Sequence, residues 1–233
     1  MATFSAWSRS RSRPSQTSLE RPSSRPENDG VAEQGMFLGE PPASEGADAA
    51  FDEDRSSDGY VNNLTRLWCW RPDIYNAFSA LQGDLTRASA LTKRDRAVLV
   101  AATAAERHDS YCSLAWGRRL ANLSDDATAA HVIAGEPAPA LSDREAALVA
   151  WARQVVRNPN AATNLEIARL REVGLADREI FEATAFVAFR LAFSTINDAL
   201  GAAPDKQLAD AAPPLVRSAV SYGRPPSPSP SRR

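Results

Sequence analysis

The residue types best suited to chemistry are concentrated around Cys112. Glu106, His108 and Asp109 precede this cysteine within six residues. If Asp109 is the N-cap of a helix, Cys112 is its third residue, where the positive end of the helix dipole favours a thiolate. The Asp109 carboxylate and the apolar residues 114–116 oppose this effect, because both raise a cysteine pKa. The cluster predicts a thiol site with Cys112 as nucleophile and Asp109, Glu106 and His108 as candidate acid–base groups. The alternative is that Cys112 is a buried apolar residue and Asp109 a simple helix cap.

Other common catalytic and binding motifs are missing from the sequence. His108 and His131 are the two histidines, and no cysteine or carboxylate recurs at metal-ligand spacing around them. Neither a G-x-G-x-x-G pattern nor a P-loop occurs. We therefore expect no metal and no cofactor. Cys69, in Trp68-Cys-Trp70, is the second cysteine, and it would need a Cα within about 7 Å of that of Cys112 to form a disulfide.

The composition of the 233-residue chain disfavours two classes of binding partner, nucleic acids and membranes. The net charge is −2, from 27 basic and 29 acidic residues, which gives no cationic field for a nucleic acid or an anionic lipid surface. No apolar run approaches the roughly 18–20 residues that cross a bilayer. Two cysteines fit a reducing compartment. We expect a cytoplasmic protein that binds neither nucleic acid nor membrane.

Composition also divides the chain into one domain and two tails. Residues 1–58 are rich in Ser, Pro, Gly and charge and predict a disordered N-terminal tail. Residues 59–223 are rich in Ala and Leu at helical spacing, without alternating strand patterns. Residues 224–233 contain a proline at almost every second position and predict a disordered Pro/Ser-rich tail. The sequence therefore predicts an all-α domain of six to eight helices between disordered tails.

Local signals define several of these helices. Pro72 fits the first turn of a helix to about Thr86, with Ile74, Phe78, Leu81 and Leu85 on one stripe. A short helix from about Val61 precedes it. Thr92-Lys-Arg-Asp95 and Ser142-Asp-Arg-Glu145 resemble capping boxes. The pattern Leu-x-x-Arg-acid begins at Leu91, Leu141 and Leu175, with unequal spacing that argues against a solenoid. The helix after Glu179 is apolar nearly all round and predicts either a central helix or one that lines a subunit interface. Gly201 is expected to end it.

Six segments in a fixed order resemble a known family: Gly59–Leu67, Arg71–Ile74, Leu91–Arg96, Ser110–Cys112, Leu170–Ile180 and Asn197–Gly201. Together they resemble the AhpD-like peroxidase-related proteins of the carboxymuconolactone decarboxylase superfamily, over about residues 59–205. This resemblance implies an AhpD-like helical domain that assembles into a trimer or a larger homo-oligomer. It also implies thiol peroxidase chemistry, because AhpD reduces organic hydroperoxides with a Cys-x-x-Cys pair, a following histidine and a preceding glutamate.

The sequence departs from that motif at three positions. Cys112 matches the second, peroxide-attacking cysteine, whereas Asp109 stands in place of the first, resolving cysteine. Trp116 stands where the histidine is expected and Ala97 where the glutamate is expected. A single cysteine that is oxidised to a sulfenic acid needs another thiol to reduce it. The resemblance therefore implies an external thiol reductant, or Cys69 as a resolving thiol.

Three functions are open at this point. The first is hydroperoxide reduction through Cys112, as an oxidoreductase of the peroxidase-related type. The second is a decarboxylase- or lactone-type reaction, with Arg107, Arg118 and Arg119 binding an anionic ring. The third is a non-catalytic helical homo-oligomer whose former site is filled by Trp116 and Ala97. Trp116 lies one helical turn after Cys112 and is expected to cover it.

Overall fold

Eleven α-helices and one short 3-10 helix make up the secondary structure of residues 35–228, the part of the chain that the computed structural model describes. The elements are α1 (Glu45–Ser57), α2 (Asn63–Trp68), α3 (Pro72–Arg87), α4 (Lys93–Arg107), α5 (Ser110–Leu123), α6 (Asp126–Ala134), α7 (Asp143–Arg157), a 3-10 helix (Pro159–Ala161), α8 (Asn164–Glu172), α9 (Asp177–Ala199), α10 (Lys206–Ala211) and α11 (Pro214–Ala219). The all-α prediction is confirmed, but the described residues contain more helices than the six to eight expected.

Helix α4 is the centre of the domain and packs against α5, α6, α7 and α9. Its residues from Ala97 to Ala105 are all buried. Five of the nine are alanine, and such small side chains let several helices approach one axis closely while the larger Val98 and Leu99 fill the remaining space. A helix surrounded in this way holds the start of α5 in a fixed position.

The predicted capping boxes are confirmed at two of these helix starts. The Thr92 hydroxyl accepts the Asp95 N–H at 3.0 Å, and the Asp95 carboxylate accepts the Thr92 N–H at 3.0 Å. Ser142 and Glu145 repeat the arrangement at α7. These reciprocal bonds satisfy N–H groups that have no partner within a helix.

The three Leu-x-x-Arg-acid segments meet in space, although their spacing along the chain is unequal. Arg144, at the start of α7, lies 3.4 Å from Asp95 of α4 and 2.6 Å from Glu179 of α9. Arg94 of α4 pairs in turn with Glu145 of α7. The repeated motif therefore ties together the first turns of three helices that pack on one another.

The N-terminal part of the domain differs from the prediction. Residues 45–57, placed in a disordered tail, form α1, which Ser44 caps by accepting the Ala47 N–H at 3.2 Å. Ala47 and Ala50 are buried against Cys69. Two alanines on one face are enough to pack this helix against the domain. Because the segment contains few apolar residues overall, its composition did not predict a helix. Residues 1–34 of the predicted tail lie outside the described residues.

The C-terminal segment also lies against the domain. The Ser110 hydroxyl donates to the carbonyl of Arg224 at 2.8 Å, and the Ser227 N–H donates to the carbonyl of Pro204 at 2.8 Å. Residues 224–228 are not helical, as the prolines predicted. They nevertheless differ from the predicted disordered tail, because these hydrogen bonds hold them against the domain. Residues 229–233 of the predicted tail are outside the described range.

Helices α3 and α9 leave apolar side chains on the surface. Ile74 and Leu81 of the predicted α3 stripe are 47% and 46% exposed, and Phe181 at the start of α9 is 72% exposed. Phe78 of α3 instead stacks on Phe193 of α9 with ring centroids 6.0 Å apart. Helix α9 is therefore not buried on all sides by its own chain. Gly201 follows it with φ +82°, the left-handed conformation expected at a helix end.

Candidate thiol site

The junction of α4 and α5 places Cys112 as the sequence predicted. His108 ends α4 in the left-handed conformation, with φ 59°, and turns the chain so that Asp109 becomes the N-cap of α5. The Asp109 carboxylate accepts the backbone N–H of Cys112 at 2.9 Å. Cys112 is therefore the third residue of α5, and its side chain is 3% exposed.

A hydroxyl from α9 completes a buried polar cluster at the sulfur. Ser194 donates to the second carboxylate oxygen of Asp109 at 2.5 Å, and its Oγ lies 3.9 Å from Cys112 Sγ. The sequence analysis did not select Ser194. The sequence signal that could have identified it is a serine within the apolar run of α9. In the structure this serine faces α5.

Arg190 places a positive charge beside the same cluster. It lies one helical turn before Ser194, and its Cζ is 4.8 Å from the ring centroid of Trp116 and 5.7 Å from that of Phe193. Its guanidinium makes no hydrogen bond or ion pair within residues 35–228. Sequence analysis also missed this residue. A cation inside the apolar run of α9 was the available signal.

The electrostatics of the site keep the thiol protonated at neutral pH. Burial is the largest effect and raises the pKa of Cys112 well above its ordinary value, and the nearby Asp109 carboxylate raises it further. Arg190 acts in the opposite direction. Burial lowers the pKa of Arg190 itself, which is consistent with a cation held mainly between aromatic rings.

The structure does not bring Glu106 or His108 to the sulfur. The Glu106 carboxylate accepts two hydrogen bonds from Arg157, at 2.5 Å and 3.0 Å, and lies 3.8 Å from Arg153. The His108 ring stacks against Tyr222 with centroids 5.1 Å apart. Both residues line a separate cavity of about 610 Å³. Of the three acid–base candidates, Asp109 alone contacts the Cys112 segment.

Cys69 lies in a different part of the core. It ends α2, packs against Ala47 and Ala50 of α1, and carries a free thiol, as does Cys112. Burial and the charge of Asp54 raise the pKa of Cys69 to about 11. The two cysteines form no disulfide in this structure.

A second buried polar pair lies further along α9. The Trp68 indole N–H donates to Asn197 Oδ1 at 2.8 Å, while Asn197 Nδ2 is buried without a hydrogen-bond partner among the described residues. Trp68 also stacks on Phe193, with centroids 5.0 Å apart. This pair fixes the ring that supports Arg190.

An open cavity of about 460 Å³ lies beside the start of α5. Tyr111 and Ala115, on either side of Cys112 along the helix, line it together with Phe193, Arg118 and Arg119. Arg107, the third arginine considered for anion binding, is not part of it and donates instead to Thr195 at 3.5 Å. Of the three arginines that the sequence analysis selected, two therefore share a cavity.

Two solved structures share this architecture. One is described as the alkylhydroperoxidase AhpD core, an uncharacterized peroxidase-related protein from Ralstonia eutropha JMP134, with a TM-score of 0.68 and 23% identity over 74% of this chain and 94% of that chain. The chain has the AhpD-core fold. The other, an uncharacterized peroxidase-related protein from Silicibacter sp. TM1040, gives a TM-score of 0.67 at 20% identity, over 75% of this chain and 94% of that chain.

Comparisons of the sequence itself find no relative of this chain. No protein-family model matches the chain, and no curated protein matches it. No group of three or more His, Cys, Asp or Glu side chains is arranged to hold a metal ion between residues 35 and 228. Over the same range, every helix is too short or too polar to cross a membrane.

The two other positions at which the resemblance leads us to expect motif residues have different environments. Ala97 is buried in the core of α4. Trp116 is partly buried, and its ring has Arg119 at 5.0 Å as well as Arg190. The indole thus holds a guanidinium next to the thiol cluster, at the position where the resemblance leads us to expect a histidine.

Proposed function

We propose that this AhpD-like protein reduces hydroperoxides through Cys112 alone and is restored by an external thiol. The observation that supports this most strongly is the cluster around the sulfur. A carboxylate, a hydroxyl and a guanidinium from two helices surround a single cysteine at a helix start. These groups supply a proton acceptor and a cation, in place of the proton relay that the missing histidine and glutamate would form.

The proposed reaction balances with two equivalents of thiol. Asp109 takes the proton of Cys112, and the thiolate attacks the terminal oxygen of the hydroperoxide. The S–O bond forms as the O–O bond breaks, and the leaving alkoxide takes up a proton to become an alcohol. The sulfenic acid is then converted by one external thiol to a mixed disulfide and water, and a second thiol releases reduced Cys112.

Arg190 would stabilise the negative charge that develops on sulfur and on the departing oxygen. Its guanidinium has no other acceptor within the described part of the chain, and it is held by Trp116 and Phe193 rather than by a carboxylate. A cation without a competing anion is free to interact with charge formed during the reaction. Because the resting thiol is protonated, we expect slow turnover that increases with pH.

The test is the consumption of cumene hydroperoxide with dithiothreitol as reductant. Cys112→Ser should abolish it, and the matched control Cys69→Ser should leave it unchanged, since Cys69 lies in a different cluster. Trapping with dimedone and peptide mapping should place the sulfenic acid on Cys112. Unchanged consumption by Cys112→Ser would refute the proposal.

A non-catalytic helical protein is the second candidate. The observation that favours it is the 3% exposure of Cys112 together with its raised pKa. Under this alternative, native Cys112 reacts with iodoacetamide only as fast as the protein unfolds. A labelling rate in the native state well above the unfolding rate would contradict it.

We also propose a homo-oligomer, which is supported by the exposed apolar side chains of α3 and α9. Ile74, Leu81 and Phe181 are exposed on one protomer, and the burial of apolar side chains drives most association between subunits. Light scattering coupled to size exclusion should give a mass of three protomers or more. The two free thiols similarly support a reducing, cytoplasmic location.

A further inference from the structure

The cavity beside α5 is lined by two arginines that form no hydrogen bond and by two acids that each accept one. Arg118 and Arg119 are exposed and form no hydrogen bond or ion pair within residues 35–228. Asp54 and Asp58 also line the cavity. Asp54 accepts a hydrogen bond from the backbone N–H of Asn62 at 2.9 Å, and Asp58 accepts one from the Asn62 side-chain amide at 2.9 Å. The charged side chains of this cavity that form no hydrogen bond are therefore the two arginines.

The rest of the lining is suited to an apolar body. Tyr111, Ala115 and Phe193 contribute carbon surface, and Tyr60 adds a phenol whose pKa is raised by burial and by the charges of Asp205, Asp58 and Asp54. A phenol that stays protonated donates a hydrogen bond and carries no charge that would repel an anion. A volume of about 460 Å³ is within the range of cavities that hold small organic ligands.

The lining also reaches the neighbours of the thiol cluster. Tyr111 and Ala115 flank Cys112 on α5, and Phe193 precedes Ser194 on α9. The Phe193 ring lies under the Arg190 guanidinium. Cys112 itself does not line the cavity, so the reacting end of a ligand has to pass between these side chains to reach the sulfur.

We propose that this cavity binds hydroperoxides that carry a carboxylate, with the carboxylate on Arg118 and Arg119 and the carbon body against Tyr111, Ala115 and Phe193. The inference rests on the proposed function for the peroxide end, whereas the binding of the carboxylate is independent of Cys112. Arginine pairs with a carboxylate through two parallel N–H donors, which fixes the orientation of the ligand as well as its affinity.

A hydroperoxy fatty acid and its methyl ester test the proposal, because they differ only in the carboxylate. The rate of Cys112 oxidation is measured by peptide mass in the Cys69→Ser protein. Both compounds are used below their critical micelle concentrations. We expect the acid to react about tenfold faster than the ester, as the loss of a charged hydrogen bond implies. Arg118→Gln should remove this difference between the acid and the ester. Arg87→Gln is the matched control, because Arg87 is exposed and contacts Asp84 on α3.

A binding measurement separates this proposal from the proposed function. Cys112→Ser, which cannot react, is titrated with the corresponding hydroxy fatty acid and with its methyl ester while its melting temperature is followed. Stabilisation by the acid alone, lost in Arg118→Gln, supports the cavity even if Cys112 proves inert. Equal oxidation by acid and ester, or equal stabilisation by the two, would overturn the carboxylate site and leave hydroperoxide reduction standing. Absence of Cys112 oxidation by either compound would refute the proposed function.

Discussion

Two substitutions of Asp109 separate its structural contribution from its charge. Its first carboxylate oxygen accepts the Cys112 N–H at 2.9 Å, and its second accepts the Ser194 hydroxyl at 2.5 Å. Asparagine keeps an oxygen for the N–H, and its amide group donates to the Ser194 oxygen, which changes from donor to acceptor. Alanine removes both interactions. Both variants remove the negative charge that raises the pKa of Cys112.

The magnitudes follow from the burial of the groups involved. Alanine removes a helix cap, at a cost of about 1 kcal/mol, and leaves the buried Ser194 hydroxyl unsatisfied, at about 1–3 kcal/mol. The free energy of unfolding of Asp109→Ala should therefore fall by about 2–4 kcal/mol. Asp109→Asn retains both contacts in altered form and should lose less than about 1 kcal/mol.

Equilibrium unfolding in urea measures the stability difference, and alkylation of native Cys112 against pH measures the thiol. In Asp109→Asn the midpoint of alkylation should move to lower pH, because a charge that disfavours the thiolate is gone while the fold is retained. If Asp109→Ala were as stable as Asp109→Asn, the hydrogen bonds would not support α5. A midpoint unchanged in Asp109→Asn would refute the electrostatic argument.

Three further predictions concern residues at or near the site. Burial and Asp109 raise the pKa of Asp198 from 3.8 to about 6, so its stabilising contribution is complete below about pH 4 and is lost as the pH rises through 6. The free energy of unfolding of Asp198→Asn should equal that of the wild type at pH 4 and exceed it at pH 7 by up to about 1 kcal/mol after solvent screening. A stability difference that does not depend on pH would contradict this prediction. Gly117→Ala would place a Cβ 2.6 Å from a methyl carbon of Val216 and should cost about 1–3 kcal/mol by urea unfolding, whereas Gly83→Ala, with nothing nearer than 4.0 Å, should stabilise by up to about 1 kcal/mol. Trp68→Phe removes the hydrogen bond to the buried Asn197 amide and should lower the unfolding free energy by about 1–3 kcal/mol, and an unchanged urea midpoint would show that water replaces it.

The helix starts are the elements that the sequence predicted best. Thr92, Ser142 and Asp109 act through bonds to residues three positions ahead, so the information needed lies within one turn of chain. Helix α1 was missed for the opposite reason. Its stability comes from packing of Ala47 and Ala50 against Cys69, a contact with a segment that local composition does not reveal.

The sequence by itself therefore determined the helical class, the N-cap of α5, the position of Cys112 in its first turn, and the departure from a two-cysteine motif. The tertiary structure decided which groups meet that thiol. Ser194 and Arg190 come from a helix about 80 residues further along the chain, whereas Glu106 and His108, close in sequence, are directed to another cavity. The left-handed His108 turns the chain between α4 and α5, and packing of α4 against both α5 and α9 brings the distant pair to the sulfur.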